Sequence, residues 1–282
     1  MSTDLPSDLQ GRGTLAFVGG GNMARSLISG LIRRGFTGDG IRVAEPNAEL
    51  RRALEHEFAV HTFADAAEAV RGSRLWLFAV KPQVLRGVCE SLQPSAQAQH
   101  PLVVSIAAGI TIDQLQRWLG GGLPVVRAMP NTPALLGAGV TGLHANDQVS
   151  QVQREQAERL LGSAGATVWI DDEALMDAVT AVSGSGPAYV FLLAEAMEAA
   201  GIAQGLSPHA AHILVAQTLR GAARMLTESD EAPAELRRRV TSPNGTTQAA
   251  IETFQAGGFE RLVADAVDAA RRRGAELSAA ND

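Results

Sequence analysis

The segment from Thr14 to Gly35, TLAFVGGGNMARSLISGLIRRG, constrains this chain more than any other. A short apolar run opens directly into three glycines, then into apolar residues at helical spacing, and closes on Gly35. Strand, glycine turn and helix in that order begin a βαβ unit, and the G-x-G-x-x-[GA] pattern has a physical task at each position. Gly19 allows the tight turn, Gly21 lets a pyrophosphate approach the backbone, and Ala24 permits close packing of helix on strand. The helix N-terminus offers its free N–H groups to phosphate. Val18, Gly19, Gly20, Gly21, Asn22, Met23 and Ala24 are therefore candidate dinucleotide-binding residues.

The next apolar run, Ile41–Ala44, ends at Glu45, 45 − 19 = 26 residues beyond the first glycine of the pattern. A carboxylate near this spacing accepts hydrogen bonds from the adenosine ribose and repels a 2′-phosphate, which favours NADH. Asn47, Arg51 and Arg52 follow and offer a phosphate the opposite welcome, so NADPH stays open beside NADH; a solvated carboxylate is the plain alternative for Glu45.

Further strands are expected at Leu75–Val80, Leu102–Ile106, Val125–Arg127 and Thr167–Ile170, which with Leu15–Val18 and Ile41–Ala44 make a parallel sheet with crossover helices. After Asp171 the β-branched runs vanish, and helices are expected at 173–182, 187–204, 208–226, 234–239, 247–255 and 259–276. The expected fold is a doubly wound, Rossmann-like α/β domain over residues 1–171 and an all-α domain over 172–282. Ala-rich helices such as 188–203 carry apolar residues around most of their circumference, which suits pairing with a second copy, a homodimer at least.

With 46% hydrophobic and 19% charged residues the composition is that of a folded globular chain. A net charge of −6 argues against a nucleic-acid partner. The one stretch that invites a membrane reading, the uncharged Ala178–Ala194, is broken by its SGSGP core into pieces too short for a membrane span. Cys89 is the only cysteine, which excludes an intrachain disulfide and Cys-rich zinc sites and fits a reducing, cytoplasmic compartment. The six histidines are scattered, so no metal site is expected. The first dozen residues lack an apolar signal-peptide core and, with the closing SAAND, read as frayed ends.

Two more strand ends carry small or basic residues where α/β folds place ligands. Ala79, Val80, Lys81 and Pro82 close one of them, and Lys81 is the only lysine among 24 basic residues. Pro82 keeps Lys81 out of the helical region. Ser105-Ile106-Ala107-Ala108-Gly109 closes the other, and Ala107, Ala108 and Gly109 leave room for a dinucleotide against the backbone. In the helical half, Ser242-Pro243-Asn244-Gly245 reads as a turn feeding a helix. The N–H groups of Gly245, Thr246 and Thr247 are then expected to be unpaired, a site for a carboxylate. Helix capping is the plain alternative for the two threonines. Gly184, Gly186 and Pro187 suit a tight helix junction, Tyr189 suits core or interface filling, and the RRR runs at 237–239 and 271–273 suit solvated helix faces.

In order, VGGGNMA, AVKP, SIAAGI, RAMPNTP, SGSGPAY and VTSPNGTT resemble the signatures of pyrroline-5-carboxylate reductases, over roughly residues 14 to 276. The resemblance implies reduction of the cyclic imine 1-pyrroline-5-carboxylate to L-proline with NADPH or NADH, the last step of proline biosynthesis. It implies a cofactor contact at Asn131, substrate contacts at Ser242, Gly245, Thr246 and Thr247, and a hydroxyl of Thr247 that orients the imine nitrogen. It also allows a ring of dimers. Asn244 stands where relatives often have glycine, and Ala66 where they often place asparagine near the adenosine. A reductase of a related cyclic imine, a hydroxy-acid dehydrogenase and a non-catalytic dinucleotide sensor are the alternative readings. The dehydrogenase would be favoured by a catalytic lysine in the helical half, where the sequence has none.

Overall fold

A computed structural model describes residues 15–280. Eight strands form one sheet: β1 (Leu15–Val18), β2 (Ile41–Ala44), β3 (His61–Phe63), β4 (Leu75–Phe78), β5 (Leu102–Ser105), β6 (Val125–Met129), β7 (Gly139–Ala145) and β8 (Gly165–Trp169). Their spatial order is β3-β2-β1-β4-β5-β6-β7-β8. The first six are parallel and follow the doubly wound order, with a crossing point between β1 and β4. The expected parallel sheet needs correction at one end: β7 runs antiparallel to β6, and β8 lies parallel to β7.

The continuous apolar runs are explained by burial on both faces. Phe17, Val43, Leu77 and Val104 point into one core with Leu27, Ile28 and Leu31 of α1 (Asn22–Arg33) and Leu54 of α2 (Ala48–Phe58). Their strand neighbours Ala16, Val18, Trp76, Phe78 and Val103 point into the other, with Leu85, Cys89 and Leu92 of α4 (Pro82–Gln99) and Leu115 and Trp118 of α5 (Ile112–Leu119). The short α3 (Ala66–Val70) and α6 (Gln151–Gly162) complete the layers.

The expected helix 173–182 is broken into three pieces: a 3₁₀ turn Glu173–Leu175, one α turn α7 (Met176–Val179) and a π turn Thr180–Gly184. The wide turn is closed by Ser185 N–H donating to Thr180 O at 2.8 Å. At Gly184 a Cβ would stand 2.7 Å from Met129 Cε, so the segment packs closely against the end of that side chain. The remaining helices are α8 (Gly186–Ala203), α9 (Pro208–Glu228), α10 (Pro233–Arg239), α11 (Thr246–Ala256) and α12 (Phe259–Ala279). Ser278 and Ala279, expected as part of a frayed end, belong to α12; Asn281, Asp282 and the first dozen residues lie outside the described residues.

The chain divides into two compact units, one running to Ser185 and taking in the chain from Ala270, the other Gly186–Ala269. The second is wholly helical, and α8 and α11 contain no buried residue. No helix among the described residues is long and apolar enough to cross a membrane.

Candidate active site

The carboxyl ends of β1, β2, β3 and β4 surround a cavity of about 540 Å³ whose wall includes Gly19, Gly21, Glu45, Ala66, Val80 and Lys81. Gly19 has φ +106°, a Cβ there would lie 2.7 Å from Ala79 O, and its N–H donates to Ala44 O at 2.8 Å. Only glycine can make this turn. Gly20 is packed as closely, against Leu54 and the Glu45 stem, whereas a Cβ at Gly21 would meet nothing within 4 Å. Gly21 is the N-cap of α1 and supplies no side-chain cap; the first turn, Asn22, Met23 and Ala24, contains no acidic residue. A glycine opening onto a cavity at an uncapped helix start fits an incoming diphosphate. Val18 and Ala24 are buried beneath this loop.

Glu45 is fixed by every polar group it has. Its Oε2 accepts from Gly20 N–H at 3.0 Å and its Oε1 from Asn47 N–H at 2.9 Å. Its own N–H donates to Phe63 O at 2.9 Å, and its C=O accepts from Arg51 Nη1 at 2.8 Å. Only 8% of the residue is exposed. It is thus both a brace of the glycine loop and part of the cavity wall.

Lys81 is exposed, extended at φ −62°, ψ 144°, and is the N-cap of α4 with Pro82 at its first position. Its strand ends at Phe78, two residues short of the expected Val80, so Ala79 and Val80 form the connecting turn. Beyond β5, Ala107 is buried, Ala108 is exposed and Gly109 turns at φ +71° beneath Leu277 and Ser278. Asn131 is buried and its amide serves the protein: Oδ1 accepts from Val140 N–H at 3.0 Å and Nδ2 donates to Ser183 O at 3.1 Å.

In the helical unit, Asn244 takes the left-handed φ of +57° and Gly245 is the N-cap of α11, with no side-chain cap. One expectation fails here. Gly245 N–H donates to Ser242 O at 3.0 Å and closes the turn, so it is not a free donor. Thr246 and Thr247 occupy the first two helical positions, are exposed and do not cap the helix. Gln248 reaches back to accept from Asn244 N–H at 2.8 Å, which sets the turn on the helix.

Sequence reasoning missed three features. Strand β3 brings Ala64 to the cavity wall, beside the already noted Ala66, and a three-residue strand left no periodic signal. Strand β7 was hidden by Gly139 and Gly142, which read as loop but are packed: a Cβ on Gly142 would lie 2.5 Å from Val179. The third is an ionic cluster around the buried Arg127. Arg127 Nη1 lies 3.1 Å from Glu173 Oε1 and its Nη2 3.5 Å from Asp177 Oδ1, and the same Glu173 oxygen accepts Ile112 N–H, the start of α5, at 2.8 Å. Pairing across 46 and 50 residues has no local signature. Burial pushes the Cys89 thiol up to about 12, so it is a core residue and not a nucleophile. Among the described residues no group of three or more His, Cys, Asp or Glu side chains is arranged to hold a metal ion.

A doubly wound sheet with a glycine loop, an acidic residue after β2 and a following helical unit defines a dinucleotide-binding protein of the oxidoreductase type. Comparison with known proteins makes this specific. Residues 173–277 match the family model for pyrroline-5-carboxylate reductase dimerisation, and 14–109 match that for NADP oxidoreductase, coenzyme F420-dependent. The pyrroline-5-carboxylate reductase of Pseudomonas aeruginosa is 54% identical over 264 residues, 94% of this chain and 96% of that protein. The solved structure of the Coxiella burnetii reductase superposes with a TM-score of 0.92 at 38% identity, covering 95% of this chain and 99% of that one. The Plasmodium falciparum enzyme, solved with NADP bound, gives 0.82 at 28% identity, over 94% and 98%. The chain belongs to the pyrroline-5-carboxylate reductase family.

Proposed function

We propose that this chain reduces the C=N bond of 1-pyrroline-5-carboxylate to give L-proline, with NADPH or NADH as reductant, in the cytoplasm. The observation that carries this reading is end-to-end identity of 54% with a reductase of that name, together with a cavity built to hold a dinucleotide. When bound, the reduced nicotinamide supplies the hydride. The protein's part is positioning, which lowers a barrier by removing the entropy of encounter.

The residues divide that work. The N–H groups of the first turn of α1 face the diphosphate, Gly21 leaves it space and Glu45 meets the adenosine ribose, while Ala79–Pro82, Ala107–Gly109 and Asn131 shape the rest of the cleft. In the helical unit the N–H groups of Thr246 and Thr247 receive the substrate carboxylate. Ser242 and Gly245 set the turn that aims them, and the Thr247 hydroxyl orients the imine nitrogen. Residues 1–171 act as the dinucleotide domain and 172–282 as the substrate and dimerisation domain, a division supported by the family match beginning at 173. The working form is a homodimer or a ring of dimers.

Loss of absorbance from NADH or NADPH on adding pyrroline-5-carboxylate to folded protein tests the reading. Oxidation of at least one nucleotide is expected, and none above background with either would overturn it.

A further inference from the structure

Glu45 and Arg51 bear on a choice that the family leaves open, between a dinucleotide with a free adenosine 2′-hydroxyl and one with a 2′-phosphate. The turn between β2 and α2 is held from both sides. Arg51 Nη1 donates to Glu45 O at 2.8 Å and to Pro46 O at 2.9 Å, while Asn47 caps α2 by accepting Glu49 and Leu50 N–H. Within that turn the carboxylate of Glu45 is gripped by Gly20 and Asn47 N–H, one on each oxygen. Each oxygen keeps a further lone pair for a hydroxyl donor.

The basic residues nearby do not offset this charge at the cleft. Among the described residues the cavity wall includes Glu45 and Pro46 but neither Arg51 nor Arg52. Arg52 Nε donates to Ala48 O on its own helix, at 3.3 Å. The cation on the wall is Lys81, after β4, with β1 lying between β4 and β2 in the sheet. A fixed carboxylate with no arginine beside it in the wall accepts ribose hydroxyls and repels a phosphate.

We propose that Glu45 selects the dinucleotide lacking a 2′-phosphate, NAD(H), and that Arg51 is the positioning residue that holds Glu45 in place by clamping its turn. The proposal rests on the reading of the cavity as the adenosine end of the cofactor site, and it concerns binding alone, so its fate is separable from that of the reductase activity.

Calorimetry of the full chain with NAD⁺ and NADP⁺, and with the fragments 5′-AMP and adenosine 2′,5′-bisphosphate, tests it. NAD⁺ and 5′-AMP should bind at least about tenfold more tightly than their 2′-phosphorylated counterparts, as expected for one like charge at short range. Glu45→Gln should erase most of that ratio. Arg51→Met should lower it by weakening NAD⁺, and Arg51→Lys, which still donates to the two carbonyls, should restore it. Equal or reversed affinities in the unaltered protein would overturn the proposal. So would an Arg51→Met protein that loses NADP⁺ alone, since Arg51 would then be a phosphate ligand. Binding of none of the four would overturn the reading of the cavity as well. Selective binding without turnover of pyrroline-5-carboxylate would leave this proposal standing and remove the reductase assignment.

Discussion

The two units of this chain handle apolar surface in opposite ways. The inner strands β1, β4 and β5 are buried on both faces, and Phe17, Trp76, Leu77 and Phe78 have no exposed area. Helix α8 is richer in apolar residues than any of the surrounding helices need to be, yet none is buried; Phe191 and Leu192 are each 67% exposed, as is Leu262 on α12. So much apolar helix surface is covered by something outside the single chain, and the helical unit is one half of a core that a second copy completes. The match of 173–277 to a family model for dimerisation agrees with a second copy covering these helices.

The largest effects should fall on this contrast. Leu77→Ala removes a fully buried side chain and should cost about 2–5 kcal/mol at any protein concentration. Leu192→Asp touches nothing buried within one chain, yet it should abolish assembly and make the protein monomeric or aggregated. Melting curves over a range of concentrations separate the two, because only a defect at an interface between copies depends on concentration. Equal, concentration-independent losses would remove the contrast.

Next comes Gly19→Ala, which forces a left-handed φ and a contact of 2.7 Å with Ala79 O. Strain of about 1–3 kcal/mol in the glycine loop should weaken dinucleotide binding by tenfold or more. Direct titration with NADH and NADPH measures it, and unchanged affinity would show that the loop is not part of the cofactor site.

Thr247→Ala is subtler. It leaves the backbone donors of α11 in place and, since Thr247 does not cap the helix, should change stability by less than the ~1 kcal/mol of a lost cap. The kcat/KM for the imine should fall about tenfold or more, with nucleotide affinity unmoved. A lower Tm with unchanged kcat/KM would return Thr247 to a structural role.

Smallest is the effect at Cys89. Burial raises its thiol from 9.0 to about 12, so the folded state holds a proton that the unfolded state gives up first. Its contribution to stability is complete below pH 9 and is lost as the pH rises towards 12. Iodoacetamide at about pH 8 should therefore label the chain only once it unfolds, as mass spectrometry would report.

What the sequence revealed follows the range over which each feature is encoded. The glycine loop, the boundaries of β1 and β2, and the starts of α8 and α9 at Pro187 and Pro208 are written within a few residues, and all are legible to within a residue. Strand β7 is not, because Gly139 and Gly142 are there for close packing against other segments and carry no β-branched signature. The π turn at Thr180–Gly184 looks like helix from its composition, and Gly184 packs against Met129 of a distant strand. The same limit applies in the site. The spacing of Glu45 made it a candidate cofactor residue, but its grip on Gly20 depends on a fold that brings β1 and β2 together. Gly245 was expected to offer its N–H outward; the turn that presents the following donors consumes it.

The contrast between a sheet buried within one chain and a helical unit finished by a second copy has a direct test in the molar mass of the folded protein at micromolar concentration, measured by sedimentation or light scattering. The expected mass is twice the 29.5 kDa of one chain, or a larger even multiple. A single species at 29.5 kDa, folded and active, would contradict it.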